Sequence, residues 1–246
     1  MEMVDLSRVI YDGMPKIPIL PEVHVQKFLS LEKGHPLNVT ELSLPCHAGT
    51  HVDAPIHIVP NGKSIEQLPL DAFVGPGAVI GVKKNGGDEV TAKDLEASGV
   101  PVNRGDILML YTGWDEKFDS PDYNLHPYLS VDAAEWMVRK GIKLFGIDCI
   151  TVDLPTPLRP KGFDFPVHKT LLGNEVLIAE NVANLGSIVG KRTRIMALPL
   201  RIKGSDAGHA RIIARSAHMA ARLTRILGSR ESASADPARL ANPSIH

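Results

Sequence analysis

Short apolar runs bounded by turn residues are the feature that most restricts how this chain can fold. Runs of four to five residues rich in Val, Ile and Leu and flanked by Gly, Pro or Asn are typical of buried strands. They lie at residues 78–82, 107–111, 143–147, 176–179 and 194–198. Segments with helical spacing separate some of them, so the alternation predicts an α/β domain with a partly parallel sheet.

Two helices are predicted from their end signals. Ser130 can cap a helix whose apolar residues recur at helical spacing up to Gly141, a residue suited to a C-terminal cap. A shorter helix is predicted at residues 91–97, where Thr91 and Asp94 resemble a capping box. Residues 1–45 contain many Gly and Pro residues and are predicted as extended chain and loops that form a second, mixed layer.

The domain organisation follows from length and local composition. A chain of 246 residues fits one large α/β domain, and no linker or internal repeat interrupts it. Residues 228–246 are mostly small and polar and offer little surface to bury. We therefore expect one domain over residues 1–227 and a flexible polar tail over residues 228–246.

Charge and hydropathy argue against several classes of protein. The 27 Lys and Arg residues balance 28 Asp and Glu residues and form no basic run, which argues against a nucleic-acid partner. No run of about 18 apolar residues predicts a membrane span. The first residues lack the basic and apolar regions of a secretory signal, and two cysteines are too few for a disulfide framework. A cytoplasmic location is expected.

Residues 46–57 carry the strongest chemical signal. Three of the ten histidines and one aspartate fall here: His47, His51, Asp53 and His57. Imidazole and carboxylate groups are the usual ligands of zinc and similar ions, and three protein ligands with an open position are typical of a catalytic site. All four positions are odd-numbered, so a short strand or bent loop would direct them to one side, with Gly49 leaving room for an ion or substrate. The alternative is four ordinary polar residues of a core or loop.

A second, weaker signal comes from His168 and Glu180, on either side of the predicted strand at residues 176–179. Glu180 would leave the sheet at its rim, where binding sites gather. The alternative is that His168 is an ordinary loop histidine and Glu180 a solvated residue at a strand end. Asp148 and Asp153 are candidates for carboxylates that orient a ligand imidazole, with turn residues as the alternative.

Residues 47–57 read His-Ala-Gly-Thr-His-Val-Asp-Ala-Pro-Ile-His. This resembles the His-x-Gly-Thr-His-x-Asp-x-Pro-x-His signature of the metal-dependent cyclase-like hydrolases, a family that includes bacterial kynurenine formamidase and isatin hydrolase. The likeness continues at residues 168–172, 178–181 and 204–206. It implies a single swivelling β/β/α domain with mixed sheet layers, assembled as a homo-oligomer, a dimer or a tetramer. Residues 16–21 lack the aromatic side chain that kynurenine formamidases carry early in the chain.

The resemblance also implies the roles of the site residues. His47, His51 and Asp53 would bind one divalent ion, while Asp53, His168 and Glu180 would complete a second site. His57 corresponds to the residue that donates and accepts a proton. The expected cofactor is Zn²⁺ or Mn²⁺, with one or two ions per subunit, because the nitrogen and oxygen donors suit either metal.

The expected activity is that of a metal-dependent amidohydrolase. A divalent ion makes water nucleophilic near neutral pH, and such water can cleave the C–N bond of a formamide, lactam or cyclic amide. The partner would be a small-molecule amide, cyclic or aromatic in character. Two alternatives remain open: a non-catalytic, metal-stabilised module of the same fold, and a lyase or cyclase-type reaction in which the metal acts as a Lewis acid.

Overall fold

The structure is a computed structural model that describes residues 3–215. Strands and α-helices follow one another along this range. The strands are β1 (Met3–Asp5), β2 (His24–Leu29), β3 (Val39–Ser43), β4 (His51–Asp53), β5 (Val74–Gly81), β6 (Glu89–Val90), β7 (Ile107–Tyr111), β8 (Tyr128–Leu129), β9 (Leu144–Ile147), β10 (Leu177–Glu180), β11 (Arg192–Pro199) and β12 (Ala207–Arg215). The helices are α1 (Ala92–Ala97), α2 (Val131–Lys140) and α3 (Pro166–Gly173).

Seven strands close into a mixed barrel. Their order is β12-β11-β5-β7-β9-β10-β4, and β4 pairs back onto β12 to complete the ring. The four strands β5, β7, β9 and β10 run parallel, whereas β4, β11 and β12 pair antiparallel with their neighbours. Strand β1 extends β12 outside the ring. Closure leaves most strand edges paired, which removes the exposed edges of an open sheet.

Alternation along the parallel strands creates two hydrophobic cores. Leu108 and Leu110 of β7 face a core that also contains residues of α2 and α3. Ile107 and Met109 of the same strand face the other core, shared with β11 and β12. Because successive side chains of a strand point to opposite faces, strands buried on both sides read as continuous apolar runs. This explains why the runs in the sequence have no polar alternation.

The predicted fold class, a single α/β domain, is confirmed. All five predicted strands occur, at β5, β7, β9, β10 and β11. The two predicted helices are α1 and α2, with Thr91 and Ser130 as their N-caps and Gly141 in the left-handed conformation after α2. Strand β5 begins at Val74, earlier than predicted, because a run of Gly and Pro residues there still pairs with β11.

Two elements that matter for the site, β12 and α3, were not predicted, whereas β4 falls within the short strand or bent loop expected at residues 47–57. Strand β4 has only three residues, and β12 is rich in Ala and interrupted by Arg and His, so neither has an apolar run. Helix α3 begins after Phe165, which lies in the left-handed region and supplies no side-chain cap. Residues 3–45 contain no α-helix, as expected, and β2 and β3 form a separate hairpin.

The tail predicted for residues 228–246 lies outside the described residues, so the domain boundary at 227 stays a prediction. Between residues 3 and 215, every helix is too short or too polar to cross a bilayer.

Candidate metal centre

Strand β4 holds the central carboxylate of the site. It lies between β10 and β12, so that Asp53 is opposite Ile178 on one side and Ala207 on the other. His51 and Asp53 are both fully buried. Because β4 is paired on both edges, the sheet fixes the directions of these two side chains.

We expected a short strand or bent loop to direct the four odd-numbered residues to one side, and the structure shows that no single extended strand carries them all. Only His51 and Asp53 lie on β4; His47 is in the preceding turn and His57 in a 3₁₀ helix, Pro55–His57. The side chains still converge, because the turn and the 3₁₀ helix fold back over the strand. Gly49 does not leave space for an ion: its φ is +66°, and an added Cβ would lie 3.1 Å from Met14 Cε.

Asp53 is surrounded by imidazole nitrogens. Its Oδ1 lies 3.0 Å from His47 Nδ1 and 3.2 Å from His51 Nε2, while its Oδ2 lies 3.7 Å from His168 Nε2. Neither carboxyl oxygen accepts a well-directed hydrogen bond from the described residues, although both are buried. A buried carboxylate without partners is costly, so this arrangement favours a bound cation.

Three imidazoles have their outward nitrogen bonded to an oxygen acceptor. His51 Nδ1 donates to Gly49 O at 2.8 Å, and His47 Nε2 donates to Asp206 Oδ2 at 2.7 Å. His168 Nδ1 donates to Asp153 Oδ2 at 2.6 Å. The proton of this hydrogen bond lies on the outer nitrogen, so the inner nitrogen of each ring presents a lone pair toward Asp53 when the ring is neutral, the form in which histidine binds a metal ion. Histidines that bind metals have this arrangement.

Helix α3 positions His168, and Asp153 holds both the start of the helix and the His168 ring. The Asp153 carboxylate accepts hydrogen bonds from the backbone N–H groups of Val167 and His168 as well as from the His168 ring. A carboxylate at a helix N-terminus also interacts favourably with the helix dipole. Asp153 therefore orients a site imidazole, as anticipated. Asp148 does not: it accepts hydrogen bonds from the turn at residues 112–114.

Glu180 ends β10 and points into the same space. Its Oε1 accepts a hydrogen bond from Val152 N at 3.0 Å and lies 3.3 Å from His168 Nε2. Its Oε2 lies 3.6 Å from His51 Nε2. The ligand atoms of His51, Asp53 and Glu180 fall within 4.8 Å of one another, and the same is true of His47, Asp53 and His57. The two overlapping groups share Asp53 and contain five of the six residues predicted for the site. The sixth, His168, lies 3.3 Å from Glu180 and 3.7 Å from Asp53, so all six are brought together.

Asp206 was not singled out from the sequence as a site residue. It immediately precedes β12, and its Oδ2 lies 2.7 Å from His47 Nε2 and 3.3 Å from His57 Nδ1. The only sequence signal was the likeness of residues 204–206 to the family text. Closure of the barrel brings Asp206 to the site, since Ala54 N donates to Asp206 O where β4 and β12 meet.

The charges of the site differ between its histidines. Burial opposes protonation of His47, but Asp53 and Asp206 outweigh it and raise its pKa to about 10. Burial lowers the pKa of His57, against the opposing charge of Asp53. The carboxylates thus attract positive charge to the inner donors, whereas His57 stays neutral at neutral pH and can accept a proton.

A cavity of about 320 Å³ opens beside the donors. His47, His57, His168 and Glu180 form its polar side. The remaining wall is mostly apolar, with one cation, and is built from residues of several loops: Ile17, Ile19, Leu20, Ile58, Thr151, Arg159 and Phe165. Polar groups that converge on one side of an apolar cavity are typical of small-molecule sites.

A mixed barrel that holds buried imidazole and carboxylate donors beside a cavity is typical of a metal-dependent enzyme. The profile of the putative cyclase family matches residues 4–154, and the chain belongs to this family. A kynurenine formamidase of Sphingopyxis alaskensis is 31% identical over 212 residues, which are 86% of this chain and 96% of the relative.

Solved structures agree with this assignment. One described as a potential metal-dependent hydrolase with cyclase activity is 27% identical, with a TM-score of 0.72, over 87% of this chain and 98% of the other. An isatin hydrolase bound to the product analogue thioisatinate is 25% identical, with a TM-score of 0.77, over 87% of this chain and 91% of the other. The resemblance inferred from residues 47–57 is confirmed, as is the prediction of an amidohydrolase that uses a divalent metal ion.

Proposed function

We propose that this chain hydrolyses the C–N amide bond of a small formamide, lactam or cyclic amide with an aromatic or apolar body. The main support is the cluster around Asp53, in which three imidazoles have outward nitrogens bonded to oxygen and inward nitrogens beside a buried carboxylate that lacks a well-directed hydrogen bond. This donor set fits a divalent cation. When bound, such a cation supplies a water that is nucleophilic at neutral pH and polarises the substrate carbonyl.

The residues that would hold the cation are His47, His51 and Asp53, with His168 and Glu180 completing a second position that shares Asp53. Nitrogen and oxygen donors in this ratio suit Zn²⁺ or Mn²⁺, in one or two ions per subunit. Elemental analysis of the purified protein distinguishes the metals and their number.

His57 would transfer the proton. Its Nδ1 donates to Asp206, so its Nε2 has a free lone pair, and its side chain is 30% exposed. In this proposal, Nε2 accepts a proton from the attacking water and returns it to the departing nitrogen as the C–N bond breaks. The products are a carboxylic acid and an amine, which are one molecule when the substrate is a ring.

Chelation and restoration of metal test the proposal. Protein stripped of metal should lose hydrolysis of formanilide and isatin and regain it with Zn²⁺ or Mn²⁺. His51→Ala should lose both metal and activity, while the control His24→Ala, on exposed β2, should keep both. Activity that survives chelation and His51→Ala would contradict the proposal.

The same assays separate the alternatives. A protein that binds metal tightly and turns over no substrate would be a metal-stabilised module. Product analysis by mass spectrometry distinguishes hydrolysis, which adds one water to the substrate, from a lyase or cyclase-type reaction, which does not.

We also propose a cytoplasmic homo-oligomer, a dimer or a tetramer. Strands β2 and β3 form a separate hairpin with exposed apolar side chains, including Phe28 at 66% and Leu42 at 55%. Exposed apolar surface of this kind favours contact with another subunit. Light scattering coupled to size-exclusion chromatography measures the mass and would contradict the proposal if it gave a monomer.

A further inference from the structure

The cavity beside the metal centre contains a cation that no described residue neutralises. Arg159 lines the cavity, and its side chain makes one hydrogen bond, from Nε to Leu154 O at 2.7 Å. Its Nη2 is buried and has no partner among residues 3–215. The carboxylates that act on its charge, Asp153 and Glu180, are both engaged by His168. Arg159 as a whole is half-buried, but a guanidinium with a buried, unpaired N–H group normally has an anion beside it, so this one lacks an expected partner.

Aromatic rings hold the guanidinium in place. Its Cζ lies 4.8 Å from the centre of the Phe165 ring and 5.3 Å from the centre of the Phe163 ring. These two ring contacts and the Nε hydrogen bond restrict the position of the group before any ligand enters. A planar, oriented guanidinium with unused N–H groups is suited to a carboxylate, which it can bind through two parallel hydrogen bonds.

The rest of the wall selects against a small inorganic anion. Ile17, Ile19, Leu20 and Ile58 surround the opening with aliphatic carbon, and Phe165 adds an aromatic ring. A ligand that matches both features has an apolar body and one negative group. The scissile amide would then lie near the histidines, with the negative group near Arg159.

We propose that Arg159 binds a carboxylate of the substrate, so that this enzyme acts on amides that carry a carboxylate on an aromatic or apolar body. The inference rests on the proposed amide hydrolysis and makes Arg159 a specificity-determining residue. The rival explanation is structural: Arg159 would only hold Phe163 and Phe165 in place.

Paired substrates distinguish the two. Formanilide and the 2-, 3- and 4-formamidobenzoates share the scissile bond and differ in the carboxylate. The wild-type enzyme should have the higher kcat/KM for one of the benzoates, mainly through a lower KM. In Arg159→Met the ratio of kcat/KM for that benzoate to kcat/KM for formanilide should fall at least about tenfold, the value of a charge-assisted hydrogen bond. Arg159→Lys should retain part of the ratio.

A matched control removes a nearby charge that does not line the cavity. Lys161 is exposed, two residues further along the chain. Lys161→Met should leave the substrate ratio unchanged, because the fall expected in Arg159→Met comes from the cavity and not from a general loss of positive charge. An equal fall in kcat/KM for both substrates in Arg159→Met would overturn the inference. A wild-type enzyme without preference for any benzoate would overturn it as well.

Binding to metal-free protein tests Arg159 independently of turnover. A carboxylate can also bind a metal ion, so benzoate and benzamide are compared by calorimetry after chelation. Stripped wild-type protein should bind benzoate at least about tenfold more tightly than benzamide, and Arg159→Met should lose this difference. Equal affinities would overturn the inference. If no formamide is hydrolysed but the benzoate preference persists, the proposed reaction fails while the carboxylate site stands.

Discussion

At three site histidines, the ring nitrogen that faces away from the cavity is bonded to an oxygen, and this bond determines what the inner nitrogen can do. The acceptors are a backbone carbonyl for His51 and carboxylates for His47 and His168. A carboxylate or carbonyl oxygen can only accept, so the proton must lie on the outer nitrogen. Hydrogen bonding outside the metal centre therefore leaves the inner nitrogen of each ring as the one that can bind a cation beside Asp53 when the ring is neutral.

Asp206 is the partner whose removal should be most informative, because it contacts both His47 and His57. In Asp206→Asn the negative charge is lost and one acceptor oxygen is replaced by a donor. We expect kcat for formanilide to fall about 10- to 100-fold, the usual effect of losing such a partner, with a smaller change in KM. Steady-state kinetics in saturating metal measures this.

The control for this variant is Asp164→Asn, an exposed carboxylate that pairs with Lys169. It should keep wild-type kinetics. A value of kcat in Asp206→Asn equal to that of the wild type would show that the two histidines do not depend on Asp206.

Gly49 is required by the turn that carries His47. With φ at +66°, any L side chain is strained, and a Cβ would press on Met14. Gly49→Ala should lose about 1–2 kcal/mol of unfolding free energy and bind metal more weakly, as measured by urea denaturation and metal titration. Gly13→Ala is the control, because its φ is +71° with no atom near the added Cβ. Equal metal affinity in both variants would exclude a specific role for Gly49.

At the scale of elements, the site depends on short segments that have little stability alone. A three-residue strand such as β4 and an eight-residue helix such as α3 hold their positions through their neighbours. Strand β4 is held by β10 and β12, and α3 packs against α2 and β10. The positions of the candidate metal donors therefore depend on the barrel strands and helices that pack around these short segments.

An ion pair joins two strands of that barrel. Asp106, just before β7, accepts hydrogen bonds from Arg192 Nη1 at 2.6 Å and Nη2 at 2.9 Å at the start of β11. Burial raises the pKa of Asp106, but Arg192 outweighs it and the pKa lies below its usual value. A lowered folded pKa gives stability above the unfolded pKa, and that stability is lost as the pH falls through the folded pKa.

Asp106→Asn should therefore lower the unfolding free energy by about 1–3 kcal/mol at pH 7, and the difference from the wild type should shrink below about pH 4. Urea denaturation at pH 7 and pH 3.5 measures both values. The exposed pair of Lys63 and Glu175 provides the control, because Glu175→Gln should change stability by less than about 1 kcal/mol. A difference that persists unchanged at low pH would contradict the assignment to the carboxylate.

At the scale of the whole molecule, the candidate metal centre connects parts of the chain that meet only in the folded state. Its donors come from a turn, β4, a 3₁₀ helix, α3 and β10. A cation bound by these donors binds the native state and not the unfolded chain, so it should stabilise the fold by mass action.

Metal removal should lower Tm by roughly 5–15 °C. A metal concentration of 100 to 1,000 times Kd stabilises the fold by about 3–4 kcal/mol, and each kcal/mol shifts Tm by about 2–4 °C in a domain of this size. Differential scanning calorimetry with and without chelator measures the shift. Asp53→Asn is the control, and its Tm should not respond to added metal. Equal Tm values for loaded and stripped wild-type protein would exclude a metal that bridges these elements.

Local features of the sequence determined the parts of this protein that depend on neighbouring residues. The apolar runs predicted the five strands, Ser130 and Gly141 predicted α2, and the spacing in residues 47–57 predicted a cluster of donors. Each of these depends on backbone geometry or capping within a few residues, which local sequence controls. The fold class followed from the same alternation.

Only the tertiary structure decided how distant segments meet at the site and which residues beyond those already predicted belong to it. Asp206 reaches His47 across 159 positions because β12 closes onto β4, and neither strand has an apolar run that predicts the pairing. The direction of the His168 side chain depends on α3 and on its hydrogen bond with Asp153. Arg159 lines the cavity because several loops fold together there. Contacts between distant segments depend on which strands pair and which faces are buried together, and that is a property of the whole fold.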